Sequence, residues 1–312
     1  MTKRRVQIVE VGPRDGLQNE KTLVATADKI ALVGMLADAG LCRIEATAFV
    51  SPRWVPQMAD HDAMLRNLPR RAGVVHSALV PNEKGAQAAL AAGAQALAVF
   101  TAASETFSQK NTNCTITEGI ARFEPVLALA RQAGVPVRAY VSCALDCPYE
   151  GEIAPHVVAD VCARLHGIGC DEIAVSDTIG RGTPQRTARM VEATSRMVPV
   201  AQLAGHFHDT YGRAIDNVAA AWSLGVGIFD GAVGGLGGCP YAPGAGGNLA
   251  TEALVVHFEA LGIETGIDMA VLQNIAFWVR SLASIDAGSR NRHEVTPAAG
   301  LPSQAQVRLP PS

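Results

Sequence analysis

Short apolar runs rich in Val, Ile and Ala alternate along the chain with longer segments whose apolar positions recur at helical spacing. The strand-like runs are Gln7–Val11, Arg43–Ala48, Val74–Val80, Ala96–Phe100, Val137–Ser142, Glu172–Ser176, Leu203–His208 and Ile228–Val233. Between them the spacing predicts helices over Ala27–Ala39, Ala59–Asn67, Asn82–Ala92, Ile116–Ala133, Pro155–Ile168, Pro184–Met197, Ile215–Leu224 and Asn248–Leu261. Start signals such as Pro81-Asn82 and Thr183-Pro184 precede several of these helices. Ala39-Gly40, Ala92-Gly93, Ala133-Gly134 and Leu224-Gly225 supply glycine stops. Eight strand–helix alternations predict an α/β fold, a single (β/α)8 TIM barrel, with a doubly wound open sheet as the runner-up. The ninth apolar segment, Asp268–Leu282, is expected as an extra C-terminal helix outside the barrel. The barrel domain is expected over residues 1–285, and the Pro-, Gln- and Arg-rich residues 286–312 as a mobile tail.

Composition agrees with a large buried core, since 48% of residues are hydrophobic and 18% charged. A net charge of −3 offers no polyanion-binding signal, and Lys3-Arg4-Arg5 is too short for a nucleic-acid arm, so no nucleic-acid partner is expected. Seven irregularly spaced cysteines argue against a disulfide framework and for a reducing compartment. The first apolar run is interrupted by Gln7 and Glu10, unlike a signal peptide, and no run approaches the roughly 20 residues that span a bilayer. The expectation is a cytoplasmic protein without a membrane partner. Cys143 and Cys147 are read as small strand-end residues rather than a redox pair.

In such a barrel the chemistry belongs at the C-terminal ends of the strands. The first strand runs into Gly12-Pro13-Arg14-Asp15-Gly16, with a cation and a carboxylate side by side. Glu45 stands among apolar neighbours on the second strand and needs a partner there, for which Arg14 is the obvious candidate. The seventh strand ends in His206-Phe207-His208-Asp209. Residues two apart on a strand share a face, so both imidazoles point the same way, either as a pair of hydrogen-bonded core histidines or as metal ligands with Asp15 across the barrel. After the eighth strand comes a glycine-rich loop, Gly234 to Asn248, with Cys239 in its middle as either an inert small residue or a reactive one. Asn248 caps the next helix or lends an oxygen to a metal. The mixed nitrogen and oxygen set Asp15, His206, His208 and Asn248 suits Mg2+ or Mn2+ better than Zn2+.

Two stretches, Val9 to Glu20 (VEVGPRDGLQNE) and Gly235 to Tyr241 (GLGGCPY), resemble signatures of the 3-hydroxy-3-methylglutaryl-CoA lyase family. So do Phe49 to Met58 (FVSPRWVPQM), Tyr140 to Leu145 (YVSCAL), Asp177 to Gly180 (DTIG) and His208 to Gly212 (HDTYG). The resemblance runs from about residue 6 to about residue 285, its motifs in order. It implies a metal-dependent lyase with Asp15, His206, His208 and Asn248 as ligands. Arg14 would stabilise the enolate of acetyl-CoA, Glu45 would orient Arg14, Asp177 would be an active-site acid, and Cys239 the catalytic-loop cysteine. Contacts to substrate are implied for Arg14, Gln18, Asn111, Tyr140, Ser142 and Thr178. Ala48 and Ala174 stand where the family carries hydroxyls, Ser176 where it carries glycine, and Phe207 and Gly231 also depart from the pattern.

The implied reaction is retro-Claisen cleavage of 3-hydroxy-3-methylglutaryl-CoA to acetyl-CoA and acetoacetate, a step of leucine degradation. Asp15 or His206 would be the base and Cys239 or His206 the acid. The expected partners are an acyl-CoA substrate and a second copy of the chain, as a homodimer. The alternatives are cleavage of citramalyl-CoA or of a longer-branched 3-hydroxyglutaryl-CoA, a condensing synthase, and a non-catalytic binding barrel. A synthase usually needs an added regulatory domain, for which the tail is too short, and a binding barrel predicts loss of the metal set.

Overall fold

The computed structural model describes residues 5–237 and 247–282. The barrel strands are β1 (Gln7–Glu10), β2 (Arg43–Ala48), β3 (Val75–Leu79), β4 (Ala96–Ala102), β5 (Val137–Ser142), β8 (Glu172–Asp177), β9 (Leu203–Phe207) and β10 (Ile228–Gly231). A short antiparallel hairpin, β6 (Asp146–Cys147) and β7 (Gly151–Glu152), interrupts the series after β5. The barrel closes in the order β1-β10-β9-β8-β5-β4-β3-β2, and every pairing within it is parallel. The single TIM barrel read from the alternation is therefore the fold. The helices are α1 (Thr26–Asp38), α2 (His61–Asn67), α3 (Glu83–Ala92), α4 (Glu105–Thr112), α5 (Ile116–Ala121), α6 (Glu124–Ala133), α7 (Pro155–Ile168), α8 (Pro184–Thr194), α9 (Ala214–Ser223), α10 (Thr251–Ala260) and α11 (Met269–Leu282).

Two helical readings change. The expected single helix over 116–133 is two, because Pro125 lies in the first turn of α6; proline has no N–H to donate and clashes with the preceding turn. The helix α4 has no apolar stripe strong enough to announce it. It is set by Ser104, whose Oγ accepts from Phe107 N at 3.0 Å as an N-cap. Helix α11 lies outside the βα series and packs on α1 and α10, and its Arg280 Nε donates to Gly234 O at 2.9 Å. Among the described residues no helix is long and apolar enough to cross a membrane. The barrel domain's expected end at 285 and the expected tail over 286–312 lie outside the described residues.

Aliphatic side chains fill the layer between sheet and helices, with Leu32, Val33, Leu36, Leu97, Val99 and Val126 all inaccessible to water. The lumen is different. Arg43 on β2 bonds Glu172 on β8, Tyr140 on β5 bonds Glu45 on β2, and Arg138 on β5 bonds Asp230 on β10. These strands are not neighbours, so the contacts run across the barrel interior. Residues two apart on one strand face the same way, so Arg43 and Glu45 of β2, and Arg138 and Tyr140 of β5, climb the same wall. A column of paired charges thus runs up the barrel axis where branched aliphatic residues are the usual filling.

Candidate active site

The first strand leaves the barrel through a tight turn over Gly12–Gly16 in which Arg14 N, Asp15 N and Gly16 N all point at Val11 O, at 3.2, 2.8 and 3.1 Å. At its two glycines a side chain has no room. A Cβ on Gly12 would stand 2.5 Å from Glu10 Oε1, and one on Gly16 would stand 2.6 Å from Leu236 Cβ. The turn therefore sets Arg14 and Asp15 side by side over the mouth. Glu10 below it accepts from Gly12 N, Val233 N and Thr251 Oγ1 at 2.7, 2.9 and 2.6 Å, tying the first and last βα units together. Burial pushes the Glu10 carboxyl up to about 8 despite those donors.

Arg14 is buried and held on two sides. Its Nε donates to Glu45 Oε1, and its Nη1 donates to Asp15 Oδ1 at 2.6 Å. Glu45 takes a second bond from the Tyr140 hydroxyl at 2.7 Å. The partner that Glu45 needed is therefore Arg14, with Tyr140 completing the set. Burial alone would lower the Arg14 pKa, but Glu45 and Asp15 outweigh it and keep the guanidinium charged.

His206 lies on β9, and His208 follows just beyond it. The segment after the glycine-rich loop comes back across the mouth: Asp209 N donates to Gly247 O at 2.7 Å, and His208 and Asn248 form an antiparallel bridge. This brings Asn248 beside the cluster, where its Nδ2 donates to Asp15 Oδ2 at 2.9 Å and to Leu236 O at 3.2 Å. It is not a helix cap: α10 starts after Ala250, which has no side-chain cap bond. One ligand atom each from Asp15, His206 and His208 lies within 4.8 Å of the others. Those three donors suit a divalent cation, and His208 Nδ1, shut off from solvent with no partner, is the orphaned polar atom expected where a ligand is to bind. Burial disfavours ionised Asp15, yet the Arg14 guanidinium and the two imidazoles hold its pKa well below the usual carboxylate range. Burial, with His206 alongside, pushes His208 down to about 4, so its ring is neutral at pH 7.

A further layer was not foreseen. Asp230 on β10 sits 3.0 Å from His206 Nδ1 through one oxygen and accepts from Arg138 Nη2 at 2.6 Å through the other. Arg138 Nε is 3.1 Å from Glu172 Oε1. The signal that could have found these residues is a charged side chain at inward-facing strand positions, Arg138 two before Tyr140 and Asp230 two after Ile228.

The remaining expected site residues are more scattered. Asp177 at the end of β8 is fully buried, and its Oδ2 accepts from Gly182 N at 2.8 Å. A Cβ on Gly182 would meet both Asp177 Oδ2 and Asn217 Nδ2 of α9, which puts this carboxylate toward the helical layer rather than among Asp15, His206 and His208. Burial lifts the Asp177 pKa to about 6 against the Gly182 bond. Thr178 Oγ1 accepts from Cys143 N at 2.7 Å. Ser142 is half-buried at the end of β5, Gln18 is half-buried just past the first turn, and Asn111 is exposed on α4. Cys239 lies outside the described residues. Cys143 and Cys147 are buried free thiols, and burial lifts Cys143 beyond the usual thiol range, a poor start for redox exchange.

A family model described as HMGL-like matches residues 5–279. A hydroxymethylglutaryl-CoA lyase of Pseudomonas mevalonii is 53% identical over 287 residues, which are 92% of this chain and 95% of that protein. The crystal structure of the HMG-CoA lyase from Brucella melitensis aligns with a TM-score of 0.89 at 50% identity, covering 90% of this chain and 99% of that one. An HMG-CoA lyase from Acinetobacter baumannii, in complex with coenzyme A and 3-methylmalate, aligns at 0.86 with 35% identity, covering 94% and 98%.

Proposed function

The chain belongs to the HMGL-like family, and from that premise we propose that it is a carbon–carbon lyase cleaving 3-hydroxy-3-methylglutaryl-CoA to acetyl-CoA and acetoacetate. The observation that carries the reading is the convergence of Asp15, His206 and His208 within 4.8 Å, beside a buried guanidinium.

Asp15, His206 and His208 would hold a divalent cation, Mg2+ or Mn2+. Asn248 spends its amide hydrogens on Asp15 and Leu236, which leaves its carbonyl oxygen as the atom to face the ion. When bound, the cation supplies Lewis acidity that makes the substrate's C3 hydroxyl more acidic and polarises its carbonyl. The hydroxyl proton passes to a base at the mouth, Asp15 or His206. As the C2–C3 bond breaks, its electron pair moves into the thioester, and C3 becomes the ketone carbon of acetoacetate. Arg14 has Nε and Nη1 committed to Glu45 and Asp15, so Nη2 is the group aimed at the developing enolate oxygen. Glu45 and Tyr140 fix that guanidinium so that it need not reorganise during the reaction. A proton returned to the enolate carbon gives acetyl-CoA, and Cys239 is the donor this reading assigns. Gln18, Asn111, Ser142 and Thr178 are assigned to the acyl-CoA, the ligand class of the coenzyme A complex above.

The test is a panel of thioesters in the presence of Mg2+ or Mn2+: 3-hydroxy-3-methylglutaryl-CoA, citramalyl-CoA and a longer-branched 3-hydroxyglutaryl-CoA. The first is expected to be cleaved with the highest kcat/KM, with activity abolished by chelator and restored by either cation. Full activity in metal-free enzyme would refute the metal-dependent mechanism. A preference for citramalyl-CoA would refute the substrate assignment while leaving the lyase chemistry.

A further inference from the structure

Asp230 is fully committed inside the barrel. One carboxylate oxygen faces His206 Nδ1 at 3.0 Å, and the other accepts from Arg138 Nη2 at 2.6 Å. Arg138 is anchored in turn by Glu172 at 3.1 Å, and Glu172 takes both terminal nitrogens of Arg43 at 2.8 and 2.9 Å. An ionised carboxylate only accepts hydrogen bonds, so the hydrogen between Asp230 and the imidazole belongs to His206 Nδ1. A neutral imidazole has one such hydrogen, which leaves the lone pair on Nε2. That nitrogen is turned toward Asp15, with Oδ2 at 3.9 Å, too far for a hydrogen bond and suited to two ligands of one ion.

We propose that Asp230 is a positioning residue of the metal centre. It fixes His206 as the Nδ1–H tautomer, so that Nε2 is presented to the cation, and Arg138 holds the Asp230 carboxylate in place. The inference rests on the metal-dependent reading above. It has a mechanistic consequence: with Nδ1 spent on Asp230 and Nε2 on the cation, His206 has no nitrogen left to take the substrate's hydroxyl proton. Of the two candidate bases, Asp15 remains.

The column beneath makes the effect of one substitution predictable. Arg138 carries only donors. In Asp230→Asn the amide oxygen is drawn to Arg138, and the amide NH2 then faces His206 Nδ1. Nδ1 must accept, the ring proton moves to Nε2, and that nitrogen is closed to a cation, as an Asp-to-Asn change behind a histidine does elsewhere.

Mn2+ titration of metal-free enzyme, followed by the electron paramagnetic resonance of free Mn2+, reads this directly without turnover. Asp230→Asn is expected to bind Mn2+ roughly 10- to 100-fold more weakly than the wild type while keeping its circular dichroism. A folded variant whose Mn2+ affinity lies within about twofold of wild type overturns the proposal. Should the variant not fold, nitrogen-15 spectra of the Mg2+-loaded wild type, assigned with His206→Gln, give the same answer. A hydrogen on Nδ1 of His206 is expected, and one on Nε2 overturns the proposal. Wild-type enzyme that neither binds nor needs a divalent cation would instead overturn the metal-dependent reading, and the ring tautomer in that metal-free protein still decides the role of Asp230.

Discussion

Arg14→Met separates the chemistry of the buried guanidinium from its structural work. The Glu45 side chain is 1% exposed, and its bonds go to Arg14 Nε and the Tyr140 hydroxyl. Methionine replaces the guanidinium with apolar volume and leaves a buried carboxylate with one neutral donor. Breaking a buried ion pair from one side costs about 3–5 kcal/mol of stability. The same change removes the Nη2 donor assigned to the enolate, and a preorganised donor of this kind supplies about 3–4 kcal/mol, or roughly 10²–10³ in kcat. Arg14→Met/Glu45→Gln divides the two effects. Glutamine keeps an acceptor for Tyr140 without the stranded charge, so the double variant should regain all but about 1 kcal/mol of the lost stability. Turnover should not return. Mn2+ affinity should change little in either variant. Loss of the Arg14–Asp15 bond loosens one ligand, while loss of a positive neighbour favours the cation. Urea unfolding, kcat at saturating Mn2+ and a Mn2+ titration measure the three quantities separately. Recovery of wild-type turnover in the double variant, or an Arg14→Met protein as stable as the parent, would refute the reasoning.

Asp177 carries a pH dependence of definite sign. Its folded pKa is raised from 3.8 to about 6, chiefly by burial. Below 3.8 both folded and unfolded chains hold the proton. Between these values the unfolded chain releases it and the folded chain does not, so stability falls as pH rises through the window and levels off above it. At about 1.4 kcal/mol per pH unit the fall is on the order of 3 kcal/mol. Asp177→Asn should lack it, and a wild-type-minus-variant difference in unfolding free energy that stays flat from pH 4 to pH 6.5 would contradict the assignment. Gly16→Ala should cost about 1–3 kcal/mol through overpacking, because its Cβ would meet Leu236 Cβ at 2.6 Å. It should also weaken Mn2+ binding by moving Asp15, and an unchanged melting temperature and affinity would count against the tight-turn account.

The barrel was legible because its two periods are plain in the residues: β2 and β5 fall on Arg43–Ala48 and Val137–Ser142, the ranges expected from their apolar runs. The elements missed were those set by single local events. One proline splits α5 from α6, one serine cap starts α4, and the β6–β7 hairpin has two residues a side. At the mouth, His206 and His208 declared themselves through strand alternation, and the pairing of Arg14 with Glu45 through the cost of a buried lone carboxylate. Asp230 and Arg138 did not. Their partners stand 24 and 92 residues away in sequence: His206 on the strand that pairs with β10, and Asp230 on a strand brought opposite β5 only by closure of the barrel. Asn248 was legible as a residue with two roles open, helix cap or ligand, and the cap is excluded only by the 247–250 segment pairing back onto the end of β9.

The proposed cleavage depends on a single cation held at the barrel mouth by the first and seventh βα units. Anomalous diffraction from Mn2+-loaded crystals would locate that ion. One strong peak is predicted, within coordination distance of an Asp15 carboxylate oxygen, His206 Nε2 and a ring nitrogen of His208, next to the Asn248 amide. A crystal that takes up Mn2+ elsewhere, or shows those side chains turned from any common centre, would contradict it.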